Sequence, residues 1–199
     1  MEMRTGGYIN ASPEDAKHTA IAGALGRYYN MPSRSQGALT ESFCLDYQAG
    51  MESAMMLTAA AVSGANVTLH ACGTYGSMLA MSYEKFLADE DLIGAVKKLV
   101  SPIEFTEDTF AMDTIKRLGT SGSYLMEDQT ALRCRSEFFT PELGIRTTHS
   151  NWMDMDSRDM TARAANLLRK RLEEYEKPDM DPQVERDLIT FLNNRKGLH

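Results

Sequence analysis

The sequence predicts an α/β protein built on a parallel sheet, and three observations carry that prediction. Over the first hundred residues the pattern runs helix, loop, helix, strand, loop, helix. The run Asn66-Val67-Thr68-Leu69-His70-Ala71 is short and contains β-branched residues, the composition of a buried strand. A glycine-rich stretch, Cys72-Gly73-Thr74-Tyr75-Gly76-Ser77, then joins that strand to a further helix. The strand count is too low for a closed barrel.

Each element has a local cause. Ser12-Pro13-Glu14-Asp15 supplies an N-cap, a proline at the first helical position and acids in the first turn. Good helix formers continue over 16–29, and Asn30 followed by Pro32 stops the helix. A glycine-containing loop spans 33–40. The second helix runs from near Asp46 to Gly64, with Met51, Met55, Leu57, Thr58 and Val62 as its buried face. Ala54, Ala59, Ala60 and Ala61 allow it to pack closely on a sheet. After Val100 the character changes: Ser101-Pro102 breaks the pattern, 106–118 reads as a helix and 119–123 as a flexible turn. Two more helices are predicted over 156–175 and 182–194, separated by Lys177-Pro178-Asp179. No internal repeat is visible.

Composition narrows the classes. Hydrophobic residues make up 43% and charged residues 25% of 199, enough for a core in a soluble globular protein. A net charge of -7 argues against a nucleic-acid partner. The basic cluster Arg163, Arg169, Lys170 and Arg171 is followed at once by Glu173, Glu174 and Glu176, which reads as a solvated helix face. Cys44, Cys72 and Cys134 are far apart with no C-x-x-C pair, so neither a zinc ribbon nor a disulfide framework is expected. His18 and His149 have no partners at metal-ligand spacing, and no protein-bound metal is expected. The first ten residues do not read as a signal peptide, and the apolar-leaning run 54–65 is too short to cross a membrane. The expectation is a cytoplasmic protein without membrane or nucleic-acid partners. Glu84 and Lys85 read as helix-surface residues, the methionines as adaptable core, and Trp152 as a packing anchor.

Several segments, in collinear order, resemble one family. Met1-Glu2-Met3-Arg4-Thr5-Gly6 is similar to a D-M-R-T-G element, and Ala24-Leu25-Gly26-Arg27-Tyr28-Tyr29-Asn30-Met31-Pro32 to an A-x-L-A-R-Y-Y-x-L-P run. Gly37-Ala38-Leu39-Thr40-Glu41-Ser42 and Asp46-Tyr47-Gln48-Ala49-Gly50-Met51-Glu52 resemble its G-x-x-T-D-S-K and D-x-Q-A-G-x-E stretches. Gly64-Ala65-Asn66, Ser82-Tyr83-Glu84-Lys85, Pro141-Glu142-Leu143 and Tyr175-Glu176-Lys177-Pro178 continue the match. The chain is identified by these as a member of the trimethylamine-methyltransferase-type corrinoid methyltransferases. The resemblance implies a partial (β/α)8 TIM barrel, later strands only, over residues 1–100. Residues 101–199 then hold the end of the barrel and a C-terminal helical extension. Family chains are more than twice as long, and this one is expected to begin inside a barrel strand. Ala38 falls where trimethylamine-specific members carry pyrrolysine, and Phe43 where a lysine often stands. The first departure moves the expected substrate toward quaternary amines such as glycine betaine.

The implied reaction moves a methyl group from a methylated amine, trimethylamine or a quaternary amine such as glycine betaine, to Co(I) of a corrinoid (cobalamin) on a separate corrinoid protein. The enzyme's part is to hold the N-methyl group in line with cobalt. A quaternary ammonium leaves as a neutral amine and needs no proton. Such a cation calls for carboxylates and aromatic faces, and barrel sites lie in the loops after the strands. Loop 37–48 and the turn after it supply the candidate catalytic carboxylates Glu41, Asp46 and Glu52. Asp46 serves equally well as a helix cap, and Glu41 as a solvated turn residue. Gln48, His70 and Tyr75 are the candidate substrate-binding residues. His70 meets a substrate carboxylate or a corrinoid side chain, or is satisfied by backbone; Tyr75 covers a methylammonium or packs on the rim. Gly73 and Gly76 allow a flat corrinoid to approach the backbone. The stretch lacks the lysine and spacing of a phosphate loop.

Two functions stay open on sequence alone. One is a catalytic subunit or fragment of a methylamine or betaine methyltransferase. The other is a non-catalytic truncated relative, a scaffold or a corrinoid-protein docking subunit. In either case the chain is expected to self-associate or to pair with a missing N-terminal half-barrel, because an open parallel sheet leaves apolar surface uncovered.

Overall fold

The computed structural model describes residues 1–156 and 159–196. They form two compact units, Met1–Leu168 and a second that starts at Arg169.

The first unit opens without a strand. Gly6, at φ +74°, donates its N–H to the Glu2 carbonyl, and this turn reverses residues 2–7, where a barrel strand was expected. Helix α1 (Pro13–Tyr28) starts on Ser12, whose hydroxyl accepts from the Asp15 N–H, and stops where Asn30 takes the left-handed conformation. Strand β1 (Arg34–Gln36) follows, inside the stretch read as loop. Helix α2 (Tyr47–Val62) is capped by Asp46. Strand β2 (Val67–Leu69) lies parallel to β1, with Arg34 opposite Val67, Ser35 opposite Thr68 and Gln36 opposite Leu69. The result is a βαβ unit, so the α/β prediction holds.

The sheet has a covered face and an open one. Ser35 is buried and its hydroxyl meets that of Thr68 at 3.3 Å, while Val67 and Leu69 remain 52% and 41% exposed. The buried strand expected at 66–71 is therefore half open, since helices cover only one of its faces. The expected uncovered apolar surface is present there. The glycine-rich stretch is also more than a loop. Strand β3 (Thr74–Tyr75) pairs antiparallel with β4 (Ala80–Met81), and α3 (Tyr83–Val100) starts on the Ser82 cap.

Helices α1, α2 and α3 pack in sequence order on that covered face. The buried side of α2 is Ala49, Ser53, Met56, Leu57 and Ala60, while Met51 and Val62, expected inside, are exposed. The small residues face inward because the loop after β1 lies against them, with Leu39 fully buried beside Met56.

Beyond α3 the chain is helical and irregular. The helix expected over 106–118 is split into α4 (Glu107–Phe110) and α5 (Met112–Leu118) by Ala111 at φ +51°. Two short helices without a sequence signal, α6 (Asp128–Arg133) and α7 (His149–Met153), precede α8 (Met160–Glu173). The start of the helix expected from Asp156 falls partly on residues 157–158, outside the described residues. Asp91 on α3 ties this region down: its carboxylate accepts from the N–H groups of Glu142, Leu143 and Gly144 at 2.7–2.8 Å. Leu143 then packs with Leu87, Ala88 and Ala164. The second unit contains α9 (Pro182–Lys196), capped by Asp181. Among the described residues no helix is long and apolar enough to cross a membrane.

Gly37 ends β1 where the chain crosses under β2. A Cβ there would sit 2.6 Å from the Ala71 Cα and 2.9 Å from the Leu69 carbonyl oxygen, both rigid backbone. Gly37→Ala is expected to destabilise the first unit by about 1–3 kcal/mol through overpacking, read as a lowered urea midpoint at unchanged slope.

Candidate functional site

Two loops leave the same end of the parallel pair, residues 37–46 after β1 and 70–82 after β2. They interlock through the backbone. Gly76 N–H donates to the Ser42 carbonyl at 3.0 Å, and Ser77 N–H to the Thr40 carbonyl at 3.1 Å. A third segment joins them from before α1, where the Asn10 N–H donates to Glu41 Oε1 at 2.7 Å.

Beneath the loops lies an ion pair that the sequence did not announce. Lys85, read as a surface residue, is fully buried. Its ammonium donates to Asp89 Oδ2 at 2.6 Å, to the Ala38 carbonyl at 3.0 Å and to Ser53 Oγ at 3.0 Å. Asp89 Oδ2 also accepts from the Gly73 N–H at 2.8 Å. Burial pushes the Asp89 carboxyl above the usual carboxylate range, against the pull of the Lys85 ammonium and the Gly73 N–H. One side-chain pair thus fixes the loop after β1, the middle of α2 and the loop after β2. A signal for this was available: at helical spacing Lys85 shares a stripe with Ala88, Leu92 and Val96, all apolar. An i, i+4 Lys-Asp pair (the spacing of a surface salt bridge) masked it. Glu84, by contrast, is partly exposed and meets the Ser82 hydroxyl at 2.7 Å.

The candidate carboxylates are placed as follows. Glu41 is half-buried between the loops, and Ser77 Oγ lies 2.7 and 2.6 Å from its two oxygens and 2.9 Å from the Tyr8 carbonyl. This grip matters because Gly76, Ser77 and Met78 are successively left-handed, at φ +52°, +53° and +73°. Two of the three are not glycine, and each such residue costs on the order of 1 kcal/mol or more. Glu52, one turn into α2, accepts from Thr40 Oγ1 at 2.7 Å and from the Glu41 N–H at 2.8 Å, with Gln48 Nε2 on its other oxygen at 3.0 Å. Asp46 caps α2 through the Ala49 N–H at 2.9 Å, with Ser42 Oγ at 3.0 Å from the same oxygen. The Ala49 N–H above all, then the Ser42 and Cys44 side chains, hold its carboxyl below the usual range despite some desolvation. The structure therefore brings Glu41, Asp46, Gln48 and Glu52 into one hydrogen-bonded region.

The remaining candidates are differently placed. His70, exposed and at φ +50°, sits just past β2, and its Nδ1 is 3.0 Å from Gln36 Oε1 at the end of β1. Gln36 carries no motif and was missed. Tyr75 is buried at 6% exposure, with the Lys85 ammonium 5.8 Å from its ring centroid. Burial pushes its hydroxyl up to about 12. Gly73 is buried below Met81 and Phe86, and Gly76 lies under the Phe43 ring, itself 73% exposed. Burial and the nearby Asp89 raise the Cys72 thiol to about 11, so it stays protonated at neutral pH.

A family profile described as trimethylamine methyltransferase (MTTB) matches residues 1–198. The chain is 35% identical over 194 residues to a glycine betaine methyltransferase of Desulfitobacterium hafniense (strain Y51), covering 98% of this chain and 40% of that one. It is 31% identical over 175 residues to the trimethylamine methyltransferase MttB of Desulfitobacterium hafniense (strain DSM 10664 / DCB-2), covering 88% and 35%. It is also 31% identical over 193 residues to an L-carnitine:corrinoid methyltransferase of Eubacterium limosum, covering 96% and 40%. The chain thus spans at most 40% of the length of these relatives.

Two outcomes test the geometry. Lys85→Met strands the Asp89 carboxylate in a dry site and is expected to cost about 3–5 kcal/mol, whereas Lys85→Met/Asp89→Leu recovers much of that; urea unfolding of both variants checks it. For Asp46 the folded pKa lies below the ordinary 3.8. Its cap is then fully stabilising above that value and is lost as pH falls through the depressed one. The gap in Tm between the native chain and Asp46→Asn should shrink on acidification from pH 6 toward 3, and a gap constant across that range would refute the assignment.

Proposed function

The chain belongs to the trimethylamine methyltransferase family, and on that premise we propose that it is part of an enzyme that moves a methyl group from a methylated amine to a corrinoid protein. The favoured donor is the quaternary amine glycine betaine, ahead of the tertiary amine trimethylamine. The observation that carries this reading is the gathering of Glu41, Asp46 and Glu52 by two loops at one end of a parallel strand pair.

The roles follow from that arrangement. Glu41 presents negative charge where a trimethylammonium group would lie, held by Ser77 and the Asn10 N–H so that it need not reorganise when the cation arrives. Glu52 and Gln48 support it from below by fixing the Glu41 backbone, and Asp46 fixes the start of α2. His70 and Gln36, at the ends of the two strands, meet the carboxylate of a betaine. The corrinoid is a co-substrate carried by its own protein and supplies a nucleophilic Co(I) when docked. The exposed Phe43 ring above Gly76, with exposed Leu79 nearby in sequence to that loop, offers a flat apolar surface for its approach. Phe43 must shift before the corrinoid can meet the Gly76 backbone itself.

We further propose that β1, β2 and helices α1–α3 are part of a (β/α)8 barrel. The half-exposed Val67 and Leu69 then line the barrel interior, and the rest of the relatives' length covers them. A second reading, a non-catalytic scaffold that docks the corrinoid protein, has one observation in its favour. Asp46 and Glu52 are already committed to hydrogen bonds within the loops.

The test is methyl transfer from glycine betaine and from trimethylamine to Co(I) cobalamin, followed by absorbance. It is run with this chain alone and with a polypeptide matching the remaining part of the betaine relative. Turnover is expected only with the complement, faster with glycine betaine, and lowered about 10–100-fold in kcat/KM by Glu41→Gln, the range of a lost charge-assisted contact. No turnover in the mixture, with the corrinoid protein still bound, would establish the scaffold reading instead.

A further inference from the structure

Helix α9 (Pro182–Lys196) carries a feature that the catalytic reading does not use. Val184, Leu188, Ile189, Phe191 and Leu192 fall on one side of the helix, and each is 48–56% exposed. At 100° per residue Leu188 lies near the middle of the stripe, and Thr190 lies on the opposite side, which is polar. Charge closes the stripe at both ends. Asp181, whose carboxylate caps the helix through the Gln183 and Val184 N–H groups, lies at one end of this face, and Arg195 at the other, its guanidinium 5.0 Å from the Phe191 ring centroid. Glu185 also falls on this face, between Leu192 and Ile189, and is paired with Lys177.

We propose that α9 is a self-association surface whose occupant is α9 of a second copy of this chain, running antiparallel about a twofold axis at Leu188. Antiparallel pairing sets Asp181 of each copy level with Arg195 of the other, because the two residues are equidistant in sequence from Leu188. Parallel pairing instead sets Asp181 against Asp181 and Arg195 against Arg195, so the end charges select the orientation. The area is sufficient. Five side chains per copy, each with roughly 100 Å² still exposed, bury about 1,000 Å² in total, the lower bound for a specific interface. This proposal is independent of the catalytic reading and of the open sheet face, which is a different surface.

Sedimentation equilibrium of the whole chain tests it, with circular dichroism confirming that each variant keeps its helix content. The native chain should be a monomer–dimer equilibrium. Leu188→Glu brings two carboxylates together at the axis and should raise the dissociation constant by about a hundredfold or more. Thr190→Glu and, on the open sheet face, Val67→Glu should leave it unchanged. Oxidation of Leu188→Cys should yield a disulfide between the two copies mapped to position 188 by peptide mass, whereas Val184→Cys should not cross-link to itself. A native chain that stays monomeric at 100 µM, a dimer untouched by Leu188→Glu, or self-linking at both 184 and 188 would overturn the proposal.

Discussion

The Lys85 ammonium is the constraint on which the rest of this structure depends. An ammonium has three protons, and here all three are placed, on a carboxylate, a carbonyl and a hydroxyl from different segments. Such a pair contributes little net stability compared with apolar residues of the same volume. What it supplies is selectivity among arrangements: if the loop after β1 shifts by one residue, Ala38 O leaves the ammonium and a buried charge loses a partner. Because Asp89 also holds Gly73, the two loops cannot adjust independently. An error in either one is transmitted to the other.

That coupling explains how a strained loop persists above it. Gly76, Ser77 and Met78 occupy left-handed conformations in succession, which Ser and Met disfavour. Hydrogen bonds to the Glu41 carboxylate and to the Thr40 and Ser42 carbonyls offset that cost. Those acceptors are held in turn by Glu52, through the Thr40 hydroxyl and the Glu41 N–H, and Glu52 stands on α2 beside the Lys85 contact at Ser53. The order of support runs from the buried pair to α2, from α2 to the first loop, and from that loop to the second. A carboxylate such as Glu41 is rigid here because everything below it is specified.

The parts of this arrangement legible in the sequence are those with local causes. Ser12-Pro13 and Asp46 announce their helices because a cap is a contact within three residues, and the alternation of helices with the strand at Val67–Leu69 pointed to a parallel sheet. Arg34-Ser35-Gln36 gave no strand signal, since a three-residue polar strand owes its form to its neighbour β2 rather than to its own composition. Ala111 split a predicted helix with no breaker in the sequence to announce it. At the site, the grouping of Glu41, Asp46, Gln48 and Glu52 was legible from one short motif-bearing segment. Lys85 was not, because a lysine four residues before an aspartate reads the same on a surface or in a core. Only the apolar stripe it shares decides between them. Tyr75 was visible as an aromatic near the site, but its partner is this internal ammonium, which no spacing rule discloses.

The local origin of the clamp also bears on what this length of chain can organise by itself. Every contact in the two-loop system closes between residues 8 and 89, over separations of at most 69 residues. The carboxylate cluster therefore forms from consecutive elements of the first unit and needs no segment beyond them. The open face of β1 and β2 is the opposite case. Its alternate residues, Val67 and Leu69, have no covering layer among the described residues, and parallel sheets are stable when both faces are covered. On the proposed reading, holding charge in place for a cation is thus separable from excluding water around a reacting methyl group. Only the first is a property of local loops. Enclosure requires walls on the far side of the sheet, so on that reading the cluster governs substrate affinity and whatever covers β1 and β2 governs turnover.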